Sequence, residues 1–258
     1  MSIFFLIFIS FAASWLTFFS GFGLGTILTP VFFLFFNDLQ LAVTATAIVH
    51  FLNNVFKFLL MRRKIDWTIV LPFGMAAIPA AFLGAFLLTS YEDFILFTYS
   101  FDSKLYHVYM MNFIFGIILV GFSLIELIPV WSLAFSKRSL VLGGVISGFF
   151  GGISGHQGAL RTAFLIRYNL EKQVFIATGI VIAVIIDIVR TTVYFAAYDF
   201  SSIAVNWILI LCSLSAALAG AVSGKLLLNK MNMKTLTVLI SIAMLVFGLT
   251  LSTGLLNK

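Results

Sequence analysis

The stretch Gly148-Phe-Phe-Gly-Gly-Ile-Ser-Gly-His-Gln-Gly-Ala-Leu-Arg-Thr162 interrupts an apolar run from Leu140 to Ile166, and it limits the fold more than any other segment. Hydrocarbon offers no partner to a loose amide or carbonyl, and each unsatisfied group there costs several kcal/mol. A glycine-rich polar break in lipid-length apolar sequence is therefore packed within protein or lines a wet cavity. The break is expected over Gly151 to Gly158, with a short helix on either side.

That the surroundings are lipid follows from charge. Only 9% of the 258 residues are charged and 62% are hydrophobic, whereas soluble domains carry about a quarter charged residues. The chain reads as a polytopic membrane protein, all α-helical, without a long soluble domain. Neither catalysis on a macromolecule nor specific DNA binding is expected on that ground, and no nucleic-acid partner is expected. A single cysteine, Cys212, rules out an intrachain disulfide and a cysteine metal cluster. There is no P-loop, no His-x-x-x-His and no Gly-x-Ser-x-Gly, so neither an ATPase nor a metal or other cofactor is expected. Met1 to Ser20 lacks a basic start and reads on into apolar sequence, unlike a cleaved signal.

Apolar runs of roughly 20 residues can span a bilayer. They lie at Leu39–Met61, Trp67–Ser90, His107–Val130, Gln173–Tyr198, Ile203–Leu228 and Lys234–Leu255. Phe4–Phe36 is broken at Gly21-Phe-Gly-Leu-Gly25, as Leu140–Ile166 is in its centre. Basic residues collect at Arg62–Lys64, Lys137–Arg138, Arg167–Lys172 and Lys225–Lys234, while Tyr91–Tyr106, read as a loop, carries Glu92, Asp93 and Asp102 against Lys104. The positive-inside rule puts the basic loops in the cytoplasm. Leu140–Ile166 then starts and ends on one side, as a re-entrant hairpin whose arms are too short to cross.

The chain also matches itself at an offset of 132: Gly23 with Gly155, Asn37 with Asn169, Ala45-Thr46 with Ala177-Thr178, and Phe115-Gly116 with Phe247-Gly248. Residues 1–130 and 131–258 then form two repeats, each a re-entrant or broken helical hairpin plus three transmembrane helices. An odd number of crossings gives the halves opposite orientation, the inverted repeat of many transporters. The two hairpin tips are expected to meet near the midplane.

Gly21-Phe-Gly-Leu-Gly-Thr-Ile-Leu-Thr-Pro30, followed by Ala45-Thr46 and echoed in the second half, resembles the TauE/SafE sulfite exporter family of membrane permeases. The likeness covers nearly the whole chain. Gly155-His-Gln-Gly-Ala-Leu-Arg161 resembles one subset of it. The resemblance implies a multi-pass protein of the cell membrane, a bacterial inner membrane, exporting sulfite, an organosulfonate or a related small anion. One departure is Thr162, which stands where the first half has Pro30; His156, Gln157 and Arg161 also break the usual all-glycine tip.

Arg161, just past the tip, has the planar fork that holds an oxyanion, and an arginine at membrane depth is costly unless it is used. The helix arm from Gln157 points its N-terminal amides at the tip, as does the arm after Gly25, so Gly155, Gly158, Gly23, Gly25 and Thr26 join the expected anion site. The competing reading ties Arg161 to Asp187 as a bundle lock. His156 and Gln157 could donate to the anion or merely satisfy the turn. Thr46 and Thr178 could face the tips or pack between helices. His50, Asn53, Asn54 and Lys57 form a polar stripe at i, i+3, i+4 and i+7, with His50 and Asn54 read as pore-lining and Lys57 as snorkelling to the cytoplasmic side. Asp187 and Arg190, spaced i, i+3, either neutralise one another or leave Asp187 to carry a coupling proton.

These residues suit a secondary transporter of a small inorganic or organic anion, working by alternating access between the two tips. An anion channel with the hairpins as a filter is the alternative, and an intramembrane enzyme using His156 or His50 with Asp187 a more distant one. The partners expected are the anion and the bilayer; a homodimer is allowed but not required.

Overall fold

The computed structural model describes residues 2–20, 24–91, 94–102, 104–127, 139–198, 206–226 and 233–255. Gly21–Gly23, the boundary at 130/131, and Glu92, Asp93, Lys137, Arg138, Asp199 and Lys230 lie outside them.

The described residues form ten α-helices and one β-ribbon. In chain order these are α1 (Ile3–Ser20), α2 (Leu24–Phe36), α3 (Leu39–Met61), α4 (Trp67–Ser90), β1 (Ile95–Phe101), β2 (Lys104–Tyr109) and α5 (Met110–Leu127). The second half supplies α6 (Leu140–Ser154), α7 (Gln157–Leu165), α8 (Lys172–Ala197), α9 (Trp207–Leu226) and α10 (Met233–Ser252). Four helices, Leu39–Lys64 (with its 3-10 extension), Trp67–Ser90, Lys172–Ala197 and Trp207–Leu226, are long and apolar enough to cross a membrane. The chain is an all-α polytopic membrane protein apart from the ribbon.

Local signals set the helix starts. The Asp38 carboxylate accepts from the Gln40 and Leu41 amides and caps α3; Asp66 accepts from Thr68 N and caps α4. Asn37 and Asn169 both take left-handed φ, 54° and 50°, where the chain turns before α3 and before α8. Asparagine tolerates this region better than most residues.

On α4 the residues Leu71, Met75, Ile78, Phe82 and Phe86 are exposed at helical spacing and form a lipid-facing stripe, while Phe73, Ala77, Ala81 and Leu88 are buried. The buried side meets α6 at backbone contact. Gly144, Gly148 and Gly152 recur every four residues, so they share one face. They meet Phe73, Ala77 and Ala81 in turn; a methyl on Gly148 would lie 2.5 Å from the Ala77 carbonyl oxygen. Small residues let membrane helices approach this closely.

This close packing corrects the expected extent of the break. Gly151 and Gly152 belong to α6, and the turn is only Gly155, left-handed at φ 74°, and His156. The segment is a helical hairpin: Ser147 Oγ donates to Gln157 O at 3.2 Å, and Phe164 packs over Gly143. Elsewhere α1 packs on α9, α5 on α10, and α3 on α8.

A second correction concerns the 91–106 loop, which holds an antiparallel ribbon pairing Tyr99 with Tyr106 and Thr98 with His107. Its β-branched and aromatic residues favour strand, and stacked Tyr99 and Tyr106 rings, 5.3 Å apart, support it. Strand β2 runs to Tyr109, so α5 starts at Met110 rather than His107. The ribbon docks on the end of α10 through Tyr99 OH, which donates to Thr253 O at 2.7 Å.

Candidate functional site

Helices α3 and α8 pack together, and His50, Asn54, Asp187 and Arg190 meet on their shared seam. At its centre is Asp187, 0% exposed. Its Oδ1 accepts from Arg190 Nε at 2.9 Å and Gln157 Nε2 at 3.3 Å. Its Oδ2 accepts from His50 Nδ1–H at 2.6 Å and Asn54 Nδ2 at 2.9 Å. A carboxylate offers about four acceptor positions, so four donors saturate it. The His50 tautomer follows, since Nδ1 faces an acceptor-only group.

This saturation separates the two arginines. Arg190 forms an ion pair with Asp187; Arg161 forms none among the described residues. Arg161 lies on α7, 8% exposed, with no hydrogen-bond acceptor for Nη1. It borders a cavity of about 40 Å³ together with His50, Asn54, Lys57, Gln157 and Gly158. Gly179 makes room for the guanidinium, because a methyl there would stand 3.1 Å from Arg161 Nε. Among the described residues the buried side chains include three basic groups, Lys57, Arg161 and Arg190, against one carboxylate, Asp187.

Lys57 does not snorkel: it is 3% exposed and lines the cavity. The i+7 member of the polar stripe was the signal for it. Asn53, in the same stripe, instead accepts from Ser14 Oγ through Oδ1 at 3.2 Å, on the α1 side. Thr17 and Gly179 also line the cavity without having been singled out by sequence.

The remaining expected residues distribute around this centre. Gly25, in the first turn of α2, touches Gly155: a methyl on it would be 3.7 Å from Gly155 O and 3.5 Å from Thr46 Cγ2. Gly155 also abuts Arg190, whose Nη1 fills the space a side chain would need. Thr46 is buried, with its hydroxyl unpartnered. Thr178 turns elsewhere, accepting from the Asp66 amide at 3.0 Å. Thr26 borders a separate apolar groove with Phe5, Ile9, Pro30 and Met244. His156 is buried between Phe122, stacked at 5.9 Å, and Phe115, edge-on at 5.9 Å, and its Nδ1–H donates to Ser154 O at 3.0 Å. It does not border the charged cavity. Gly23 is outside the described residues.

Along the seam these groups fall in order. Thr46, His50, Asn54 and Lys57 follow one another down α3 from the Gly25–Gly155 contact, and Arg190, Asp187, Ala183 and Gly179 follow down α8. Gly25 and Gly155 thus come together beside Thr46 and Arg190, at the end of the seam away from Lys57.

The chain has no significant match among curated proteins or solved structures. A family model does match it, over residues 6–251 and so from within α1 to within α10. The described architecture, the buried cationic cavity and that match agree, and the chain belongs to the sulfite exporter TauE/SafE family.

Proposed function

We propose that this protein is a secondary transporter that exports a small sulfur oxyanion, with sulfite the best fit, by alternating access around the α1–α2 and α6–α7 hairpins. The observation that carries the reading is Arg161. Its guanidinium is buried beside a cavity, its Nη1 has no acceptor, and the neighbouring carboxylate is already fully used. A charged donor left this way is expensive unless an anion completes it. Lys57 lines the same cavity, and the first turn of α7, with its dipole positive, contributes Gln157 and Gly158.

Size bears on the substrate. One water needs about 10–15 Å³ of such volume, so 40 Å³ admits a few small groups. A central atom with three oxygens fits that; an organosulfonate requires the cavity to enlarge.

The inverted-repeat reading, with units 1–130 and 131–258, is supported by three features. Asn37 and Asn169, matched at the offset of 132, share the same left-handed conformation. Packing is exchanged between halves, α1 on α9 and α6 on α4. Gly116 and Gly248, also matched, touch each other across α5 and α10, as residues near a pseudo-two-fold axis would. Rocking the hairpins apart at Gly25–Gly155 would open the far end of the cavity. With the basic loops cytoplasmic, that end faces outward from a cell membrane.

The test is sulfite flux into proteoliposomes containing wild type, Arg161→Ala and Arg161→Lys, with thermal unfolding as a folding control. Arg161→Ala is expected to abolish flux while remaining folded, and Arg161→Lys to retain a small fraction, because an ammonium lacks the bidentate fork. Wild-type rates from folded Arg161→Ala would overturn the assignment. Flux that never saturates with sulfite would favour the channel over the carrier.

A further inference from the structure

The seam does not end at the cavity. Beyond Lys57 the same two helices open into a cleft of about 780 Å³ lined by Leu59, Leu60, Met61, Arg62, Arg63, Lys64, Lys172, Gln173, Lys225 and Leu226. Five of these are cations and none is acidic. Neither Asp66, committed to capping through Thr68 N and Thr68 Oγ1, nor Glu171, beside Lys172, lines the cleft. Lys225 Nζ donates to Leu60 O at 3.4 Å across the cleft wall.

Two further features narrow the ligand. The cleft far exceeds the 40 Å³ cavity, so it is not shaped around the same small anion. Its walls are also amphipathic: Leu59 and Leu226 are 57% and 81% exposed at the ends of apolar helices, beside the cations. Such leucines suit acyl chains, and the basic residues a step further out suit a phosphate. Clustered Lys and Arg immediately outside a span attract anionic headgroups.

We propose that this cleft, formed by the ends of α3, α8 and α9, seats the headgroup of an anionic phospholipid, with its acyl chains against Leu59 and Leu226. The lipid would sit at the mouth of the α3–α8 seam, the helices that hold Asp187 between them. Its binding does not depend on what the inner cavity carries.

The test uses the full-length protein in nanodiscs and in detergent. Wild type, Lys64→Gln/Lys225→Gln and the control Arg167→Gln are purified, and retention of phosphatidylglycerol against phosphatidylcholine is read by native mass spectrometry. Arg167 removes a charge outside the cleft lining. Wild type and the control are expected to retain phosphatidylglycerol selectively. The double variant should lose affinity by roughly fivefold for each charge removed. Equal retention by the double variant would overturn the proposal. So would millimolar sulfite or inorganic phosphate displacing the lipid from wild type, because the cleft would then hold a free anion. Arg161→Ala is expected to keep the lipid, so failure of the transport site and failure of this site are distinguishable.

Discussion

Asp187→Asn tests the centre of the site most directly. The substitution keeps the shape but removes the charge and turns one acceptor into a donor. Whichever way the new amide faces, its NH2 meets two donors: His50 and Asn54, or Arg190 and Gln157. His50 can change tautomer, and Asn54 and Gln157 can flip. Arg190 can do neither, and its guanidinium is fully buried. With nitrogen and oxygen 2.9 Å apart, the charge centres lie near 4 Å, and the lost attraction is about 4 kcal/mol at an effective dielectric constant of 20. Breaking a buried pair by removing one partner costs about 3–5 kcal/mol, so the two estimates agree. Removing both charges should recover most of this, because a neutral pair pays no desolvation. The assay is unfolding in mixed micelles followed by tryptophan fluorescence on wild type, Asp187→Asn, Arg190→Gln and the double variant. Each single change should lower stability by about 3–5 kcal/mol, with the double variant above either. A single-variant loss under about 1 kcal/mol, or a double variant no better than Asp187→Asn, would refute Asp187 as the counter-charge that Arg190 needs.

Gly179→Ala should push the Arg161 guanidinium by a few tenths of an ångström from its 3.1 Å clearance, raising KM for sulfite by roughly three- to tenfold with little change in stability. Gly121→Ala, where a methyl meets nothing within 4 Å, is the matched control and should leave flux unchanged. Lys57→Met should weaken sulfite binding by roughly tenfold or more in calorimetry, through loss of a charge at the cavity wall. Gly148→Ala forces α6 off the Ala77 backbone and should cost about 1–3 kcal/mol, read as a lower folded yield and unfolding temperature.

What sequence could and could not reveal follows from the range of the forces involved. The polar stripe on α3 was legible because helical spacing puts His50, Asn54 and Lys57 on one side whatever they contact. The i, i+3 spacing of Asp187 and Arg190 made their pairing one of the alternatives for the same local reason, without choosing it over Arg161. That Asp187 also takes His50 and Asn54, far away in sequence, depends on how α3 meets α8, and no local pattern encodes it. Glycine was the most ambiguous signal. In α6 it marks both a left-handed turn, at Gly155, and close helix packing, at Gly144, Gly148 and Gly152; the sequence pattern alone spread the break too widely. The ribbon was missed because acidic residues near it suggested a loop, while alternating aromatics in Ile95–Phe101 carried the strand signal. Lys57 was placed outward on the usual behaviour of lysines near span ends. It stays inside, lining a cavity whose walls include the polar side chains of His50, Asn54 and Gln157.

The proposed duplication also bears on how many anions one chain holds. Under the offset of 132, the backbone features are copied but the charges are not. His50, Asn54 and Lys57 correspond to Ile182, Ile186 and Val189; Asp187 and Arg190 correspond to Val55 and Phe58; Arg161 and Gln157 correspond to Thr29 and Gly25. Every polar group at the centre thus has a mate too apolar or too small to repeat its role. The copies of Thr differ as well, since Thr178 bonds the Asp66 amide while the Thr46 hydroxyl is unpartnered. On the proposed duplication two symmetric sites are not expected, and one anion per chain is. The site is also shared: the first half supplies His50, Asn54 and Lys57, and the second supplies Asp187, Arg190, Gln157 and Arg161. Neither half can satisfy its own buried charges, because Asp187 without His50 and Asn54 loses both donors on Oδ2. Calorimetric titration of sulfite should return a stoichiometry of one per chain, and a value of two would mean that the apolar copies bind after all.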